Sequence, residues 1–427
     1  MSTKRAARVS GRKKCSKTPP NWAREIFAAA EAATSLSADF NSEPSLRVGD
    51  LVAQALDTGT DHHVLRALED LDDAGLDSAA KMVASWADTV SSHIAVTLRG
   101  EGLPEAEACD MTLFLVPLCL GTKPGAPVPT ELRQPGLSGG LSMLDQAARS
   151  LRQQGLVGVE PSLLMLPYLY ALSDLPKSWA QRWRLVRQCR QASLGQQETW
   201  FLPRKPPPAG DSVLALRFVL FAVTSSQRDA DPGFLFQWVR PDDAPETGLA
   251  AAILEATSRL LGWPDAFGQI LLSSLPGLDF VEVGMPAVWE YAIEEGVSIC
   301  NLMGLQLAMT RVTRSSESVL GLSVRAAIGV YQTDGGLELR IGITGNDRFA
   351  GHVWMTNGDP EVELKPIVEA LAELGVSPEQ IQVDPDLRED AYCEDCGRPL
   401  FPGRGVGSCH EVVEAGDTGD RGHPRLH

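Results

Sequence analysis

The feature that most constrains this 427-residue chain is a pair of alternating runs in its C-terminal third. Leu322, Val324, Ala326, Ile328 and Val330 occupy every second position. Asp334-Gly335-Gly336 follows, and Leu337, Leu339, Ile341 and Ile343 alternate on the way back. A period of two puts one row of apolar side chains on one face of a strand. Asp-Gly-Gly supplies the backbone freedom a tight turn needs. The spacing predicts an antiparallel hairpin over 322–344 as the most regular element of this part of the chain. Gly345-Asn346-Asp347 turns again into a strand over 350–355, Leu364 to Leu374 reads as a helix stopped by Gly375, and Gln380 to Val383 adds an edge strand.

Upstream the period changes. From Trp22 to about Ala95 the apolar residues recur at helical spacing, with short Gly, Asp and Ser breaks at 57–61 and 73–78, which predicts four or so helices. Met111 to Leu120 is a short unbroken apolar run closed by Gly121 and Pro124, the pattern of a buried strand. A helix starting at Ser142 follows, then an apolar stretch 163–172 compatible with strand or buried helix. Next come a helix over 179–194, a proline-rich surface loop over 203–211, and strands over 214–223 and 234–239. Then come a helix over 249–261, a strand over 280–283, a helix from Ala287 ended at Gly296, and a second apolar helix over 298–311. The expected fold class is α/β or α+β. Its parts are a disordered basic arm (1–20), a helical region (21–108), an α/β part (109–245), a second α/β part carrying the hairpin (246–388) and a zinc-knuckle-like tail (389–427).

The formal charge is −17, unevenly spread. Lys4, Arg5, Arg8, Arg12, Lys13, Lys14, Lys17 and Arg24 stand at the start with no acid among them, so the remainder is more acidic than the whole. A body of that sign repels nucleic-acid backbones, and only the arm offers such a partner a surface. No run approaches the ~20 apolar residues of a membrane span, and no apolar segment follows the basic start as in a secretion signal. The expected location is the cytoplasm, with no membrane partner. Disulfides are accordingly unexpected, and the scattered Cys15, Cys109, Cys119, Cys189 and Cys300 read as reduced thiols.

The strongest chemical signal is the tail, Tyr392-Cys393-Glu394-Asp395-Cys396-Gly397-Arg398-Pro399-Leu400, then Cys409-His410, His423 and His427. Two thiolates separated by two residues can hold one zinc across a tight turn, and a glycine after the second lets backbone amides face the sulfurs. Thirteen residues separate Cys396 from His410, enough for a returning hairpin, and three separate His423 from His427. Cys409 and His410 are adjacent, so on a strand they point opposite ways and one of them binds. The expected cofactor is structural zinc on Cys393, Cys396, His410 and one of His423 or His427, with Cys409 as the substitute. A redox Cys-x-x-Cys is the rival, but Gly397 and Pro399 suit a turn and oppose the helix start a redox motif uses. An unstructured tail that happens to hold thiols and histidines is the plainer alternative.

Other motifs carry less. Gly136-Leu137-Ser138-Gly139-Gly140 matches a hydrolase elbow, yet polar, proline-ended Glu131 to Pro135 precedes it instead of a strand. His62-His63 reads as a solvated pair, His352 as a sheet histidine beside Trp354, and the acids Glu69, Asp70, Asp72 and Asp73 as a solvated helical face. Trp179 and Trp183 lie one helical turn apart, which suits a core or a docking groove. Phosphate-loop and zinc-protease motifs are absent.

The segments Leu163 to Leu175, Phe234 to Trp238, Leu275 to Phe280, Leu339 to Ile343, Gly351 to Trp354 and Tyr392 to Leu400 together resemble an uncharacterised bacterial family. That family is a domain of unknown function, mainly betaproteobacterial, ending in Cys-x-Asp-Cys-Gly-x-Pro-Leu. The likeness covers roughly 110–412. In the family a His stands at the place of His410, usually without a Cys before it, so Cys409 is a departure that bears on the third ligand. The resemblance implies no activity, catalytic residue or cofactor.

The leading reading is a non-enzymatic, cytoplasmic, zinc-binding protein that works through contacts with a protein partner. An enzyme acting on a small metabolite in a cleft between the two α/β parts is the alternative. A nucleic-acid or ribosome-associated factor using the arm is a third.

Overall fold

The computed structural model describes residues 21–35, 42–95, 110–132, 143–153, 162–193, 214–225, 262–287, 289–313, 324–333, 336–345, 348–356, 360–388, 392–393 and 399–403. The arm, the elbow-like 136–140, the loop 203–211, the strand at 234–239 and the helix at 249–261 lie outside these residues. The described part is an α+β fold with N-terminal helices. It parts into two compact units, Met1–Ser91 with Lys177–Leu185, and Ser92–Pro176 with Val186–His427.

The first unit is helical. α1 (Trp22–Ser35), α2 (Glu43–Leu56), α3 (His62–Asp73) and α4 (Asp77–Ser92) supply its four main helices. Their apolar positions recur at helical spacing and meet in one core of Ile26, Ala30, Val48, Val52, Leu56, Val64, Leu71 and Val83. Glycine ends α3 in a Schellman pattern: Gly75 sits at φ 70, its N–H donates to the Asp72 carbonyl and that of Leu76 to Leu71. The first half of α6 (Trp179–Ser193) belongs to this unit. Trp179 Nε1 donates to Asp88 at 2.7 Å, Trp183 Nε1 to Asp57 at 2.7 Å, and the Ala180 N–H to Asp61 at 2.6 Å. Asp61 therefore serves the first turn of α6, where unpaired amides need an acceptor. His62 is exposed beside His63, and of the acids on α3 Glu69, Asp72 and Asp73 are exposed, as the sequence predicts for solvated groups.

The second unit holds two sheets. In the first, β2 (Asp110–Thr122) pairs antiparallel with β1 (His93–Ala95), β4 (Leu214–Ser225) and β5 (Leu278–Val283), and β3 (Ser162–Met165) pairs with β4. The apolar run in β2 is explained by cover on both sides. Phe114, Val116, Leu118 and Leu120 meet Val219 and Phe221, α5 (Met143–Gln153) and Trp263, Phe267 and Leu271 of α7, whose described part is 262–274. The opposite parity, Leu113, Leu115 and Cys119, is equally buried. Past β3 the chain follows β4 less regularly, with Tyr170 and Phe218 exchanging both backbone hydrogen bonds.

The second sheet has the order β8-β7-β6-β9. The predicted hairpin is β6 (Arg325–Thr333) and β7 (Gly336–Gly345), in register from Arg325↔Thr344 to Thr333↔Gly336. β8 (Arg348–Trp354) pairs antiparallel with β7, and β9 (Ile381–Arg388) lies parallel along β6 as an edge strand. α9 (Pro360–Glu373) ends at Gly375, φ 88.

One expectation is corrected. Residues 289–313 form a single helix, α8 (Trp289–Thr313), where two helices broken at Gly296 were expected. Gly296 is not a stop. A Cβ there would lie 2.7 Å from Pro117 Cβ and 2.9 Å from Leu216 Cδ1, so the glycine lets the helix approach the first sheet. Ala287, expected inside the helix, instead exchanges backbone hydrogen bonds with Leu115. The N-terminal half of α8 packs on the first sheet through Gly296. The C-terminal half packs on the second through Leu305, Ala308 and Val312. Asn301, between them, is buried and bonds both ways to the Met355 backbone at 2.8 Å.

Candidate functional site

Of the tail residues predicted to bind metal, Cys393 is described; Cys396, Cys409, His410, His423 and His427 lie outside the described residues. Cys393 is half-buried. Its neighbour Tyr392 forms an isolated antiparallel bridge with Pro399. The two partners of that bridge flank the Cys-x-x-Cys pair in the sequence. Among the described residues no group of three or more His, Cys, Asp or Glu is placed to hold a metal.

The chain just past the bridge lies on the outer face of the second sheet, opposite the helices. Alternation places Ala327, Gly329 and Tyr331 of β6, Glu338, Arg340 and Gly342 of β7, and Gly351 of β8 on that face. In register, Gly342 is flanked by Ala327 and Gly351, and Arg340 by Gly329. The missing side chains make a trough. A Cβ on Gly351 would lie 2.5 Å from the Phe401 ring, one on Gly329 would lie 3.3 Å from Pro402 Cβ, and one on Gly342 would run into the Pro402 carbonyl oxygen. Gly403, φ 79, turns the chain over Ala327.

Arg340 clamps this arrangement. It is fully buried, a position a guanidinium occupies only when its donors are met. Nε and Nη2 donate to Glu338 Oε2 at 3.1 and 2.7 Å, and Nη1 donates to the Leu400 carbonyl at 3.0 Å. Its plane lies over Tyr331, 4.6 Å from the ring centroid, and over Tyr392, 4.9 Å away. Burial pushes the Tyr331 phenol above its ordinary range, while Arg388 and Arg340 pull the other way. Arg388 in turn donates to Asp384.

The sequence assigned none of these residues a place on this face, although Arg340, Gly342, Gly351, Tyr392 and Leu400 fall in segments that carry the family resemblance. The available signal was one arginine and three glycines at the polar parity of three adjacent strands, which on its own suits a solvated sheet face.

On the helix-covered face, His352 projects toward α8, where a Cβ at Gly304 would run into its ring. Its Nε2 is buried without a hydrogen-bond partner, and burial lowers its pKa to about 4. The neutral ring packs edge-on to Trp354, so the expected sheet histidine is present, with one ring nitrogen unsatisfied. Where α8 meets β2, Cys119 and Cys300 are buried and unbridged, and their hydrogen bond and burial push the Cys119 thiol upward, away from thiolate reactivity.

A family model matches residues 26–415. The chain belongs to the family described as Protein of unknown function (DUF2863). The match spans helices α1 to α4, both sheets, and the tail through His410, a wider reach than the resemblance read from the sequence. No curated protein and no solved structure matches the chain. Among the described residues no helix is long and apolar enough to cross a membrane.

Proposed function

We propose that this member of the family is a non-enzymatic zinc-binding protein of the bacterial cytoplasm that acts through protein contacts. Cys393, Cys396 and His410, with His423 or His427 as the fourth, would hold one structural zinc; Cys409 is the substitute third ligand. The observation that supports the reading is the Tyr392–Pro399 bridge, whose partners flank both cysteines in the sequence. Thiolate and imidazole donors suit zinc, and four of them close its coordination shell and leave no position for a reacting water. Metal held that way would order the tail, and an ordered tail works by what it touches.

Metal analysis of untagged protein tests this. About one zinc per chain is expected, abolished by Cys393→Ser with Cys396→Ser while both sheets stay folded. Zinc that survives the double replacement overturns the assignment.

A further inference from the structure

The contacts on the outer sheet face give the described part of the tail an anchor of its own. Segment 399–403 already has a seat that contains no metal ligand. Phe401 covers Gly351, Pro402 covers Gly329 and Gly342, and Arg340 holds the Leu400 carbonyl at 3.0 Å. Tyr392, bridged to Pro399, lies against the same guanidinium, 4.9 Å away. Tyr392 and Leu400, beside the two partners of that bridge, therefore meet one buried side chain.

We propose that segment 399–403 is a strap seated in a preformed trough of Gly329, Gly342 and Gly351, and that Arg340, bonded to Leu400 and stacked on Tyr392, clamps it there whether or not metal is bound. The seat stands on the contacts above.

The experiment is hydrogen exchange of the full chain, followed in the peptide 399–403, with zinc added and with zinc stripped by chelator. In the wild type the peptide is protected in both states. In Arg340→Met and in Gly342→Ala it exchanges at least tenfold faster, while β6 and β7 keep their protection. Phe401→Ala, which alters the strap and leaves the sheet sequence intact, gives the same result if either sheet variant fails to fold. Chelation that frees the wild-type peptide as fully as these variants do would overturn the seat, as would variants that leave its protection unchanged.

Discussion

The two faces of the second sheet are both covered, by opposite means. The helix-covered face is built by filling space. Ala326, Ile328, Leu339, Ile341, Ile343, Ala350 and Trp354 pack against Leu305, Ala308 and Val312 of α8 and Ile367 and Leu371 of α9. The strap-covered face is built by leaving space empty. Gly329, Gly342 and Gly351 remove side chains so that backbone and rings of the tail come close, and one buried arginine ties the layers. The first face gains its stability from apolar area, about 25 cal/mol per Å² removed from water. The second is closed by the rings of Phe401 and Pro402 over the glycines and by the directional contacts of Arg340. One sheet thus carries a face that holds the fold and a face that holds an appendage.

Adjacent residues of β7 put this contrast to the largest test. Ile341 points into the helix-covered core with no exposed surface, and Gly342 points to the strap. Ile341→Ala should cost about 3–4 kcal/mol of global stability, the usual cost of a core truncation and its cavity. Gly342→Ala should cost about 1 kcal/mol or less in the same urea titration, because it displaces a strap and opens no cavity. Equal losses from the two would mean that both faces hold the fold alike.

His352 marks the weak point of the filled face. Its folded pKa of about 4 lies below the ordinary 6.5, so the unfolded chain takes up a proton first. Stability is full above pH 6.5, falls as pH drops toward 4, and then levels off. The whole loss is at most about 3.5 kcal/mol, because each tenfold weakening of proton binding is worth ~1.4 kcal/mol. His352→Gln should flatten that limb of the stability-against-pH curve, measured by denaturant midpoints from pH 7 to 4. The strap-covered face should show no matching change, since segment 399–403 presents no histidine to it. A slope that survives His352→Gln would place the titrating group elsewhere.

The filled face was legible in the sequence because its rule is simple. Ala326, Ile328 and Val330 against Leu339, Ile341 and Ile343 announce a hairpin, and β6 and β7 follow that register. Met111 to Leu120 was legible for a related reason, since a strand buried on both sides has no polar parity. The strap-covered face escaped because burial there is encoded by absence. Glycine in a strand looks like weakness, and Arg340 looks like a solvent residue, until the tail is brought beside them. Gly296 misled in the same way. It resembled a helix stop, and its actual partners, Pro117 and Leu216, are far away in sequence. Of the candidate site, the Cys-x-x-Cys spacing was visible locally. The attachment of Leu400 to β7 was not, because it joins positions 60 residues apart.

The smallest expected effect sharpens the description of the strap-covered face itself. Arg340 is met by a carboxylate, a carbonyl and two tyrosine rings, and these need not matter equally. Glu338 lies two residues away on the same strand and stays partly exposed, at 26% for its side chain. Water therefore screens that pair more than it screens the fully buried guanidinium, and a surface-like contribution of about 1 kcal/mol or less is expected. A double-mutant cycle of Glu338→Gln and Arg340→Met measures it as a coupling free energy of unfolding. A coupling near 1 kcal/mol makes the outer face electrostatic in character, unlike the helix-covered face. A coupling near zero would leave the arginine held by the Leu400 carbonyl and the rings, so that packing and one backbone contact keep the strap in place. In that case Glu338 serves to neutralise a charge the sheet has already buried.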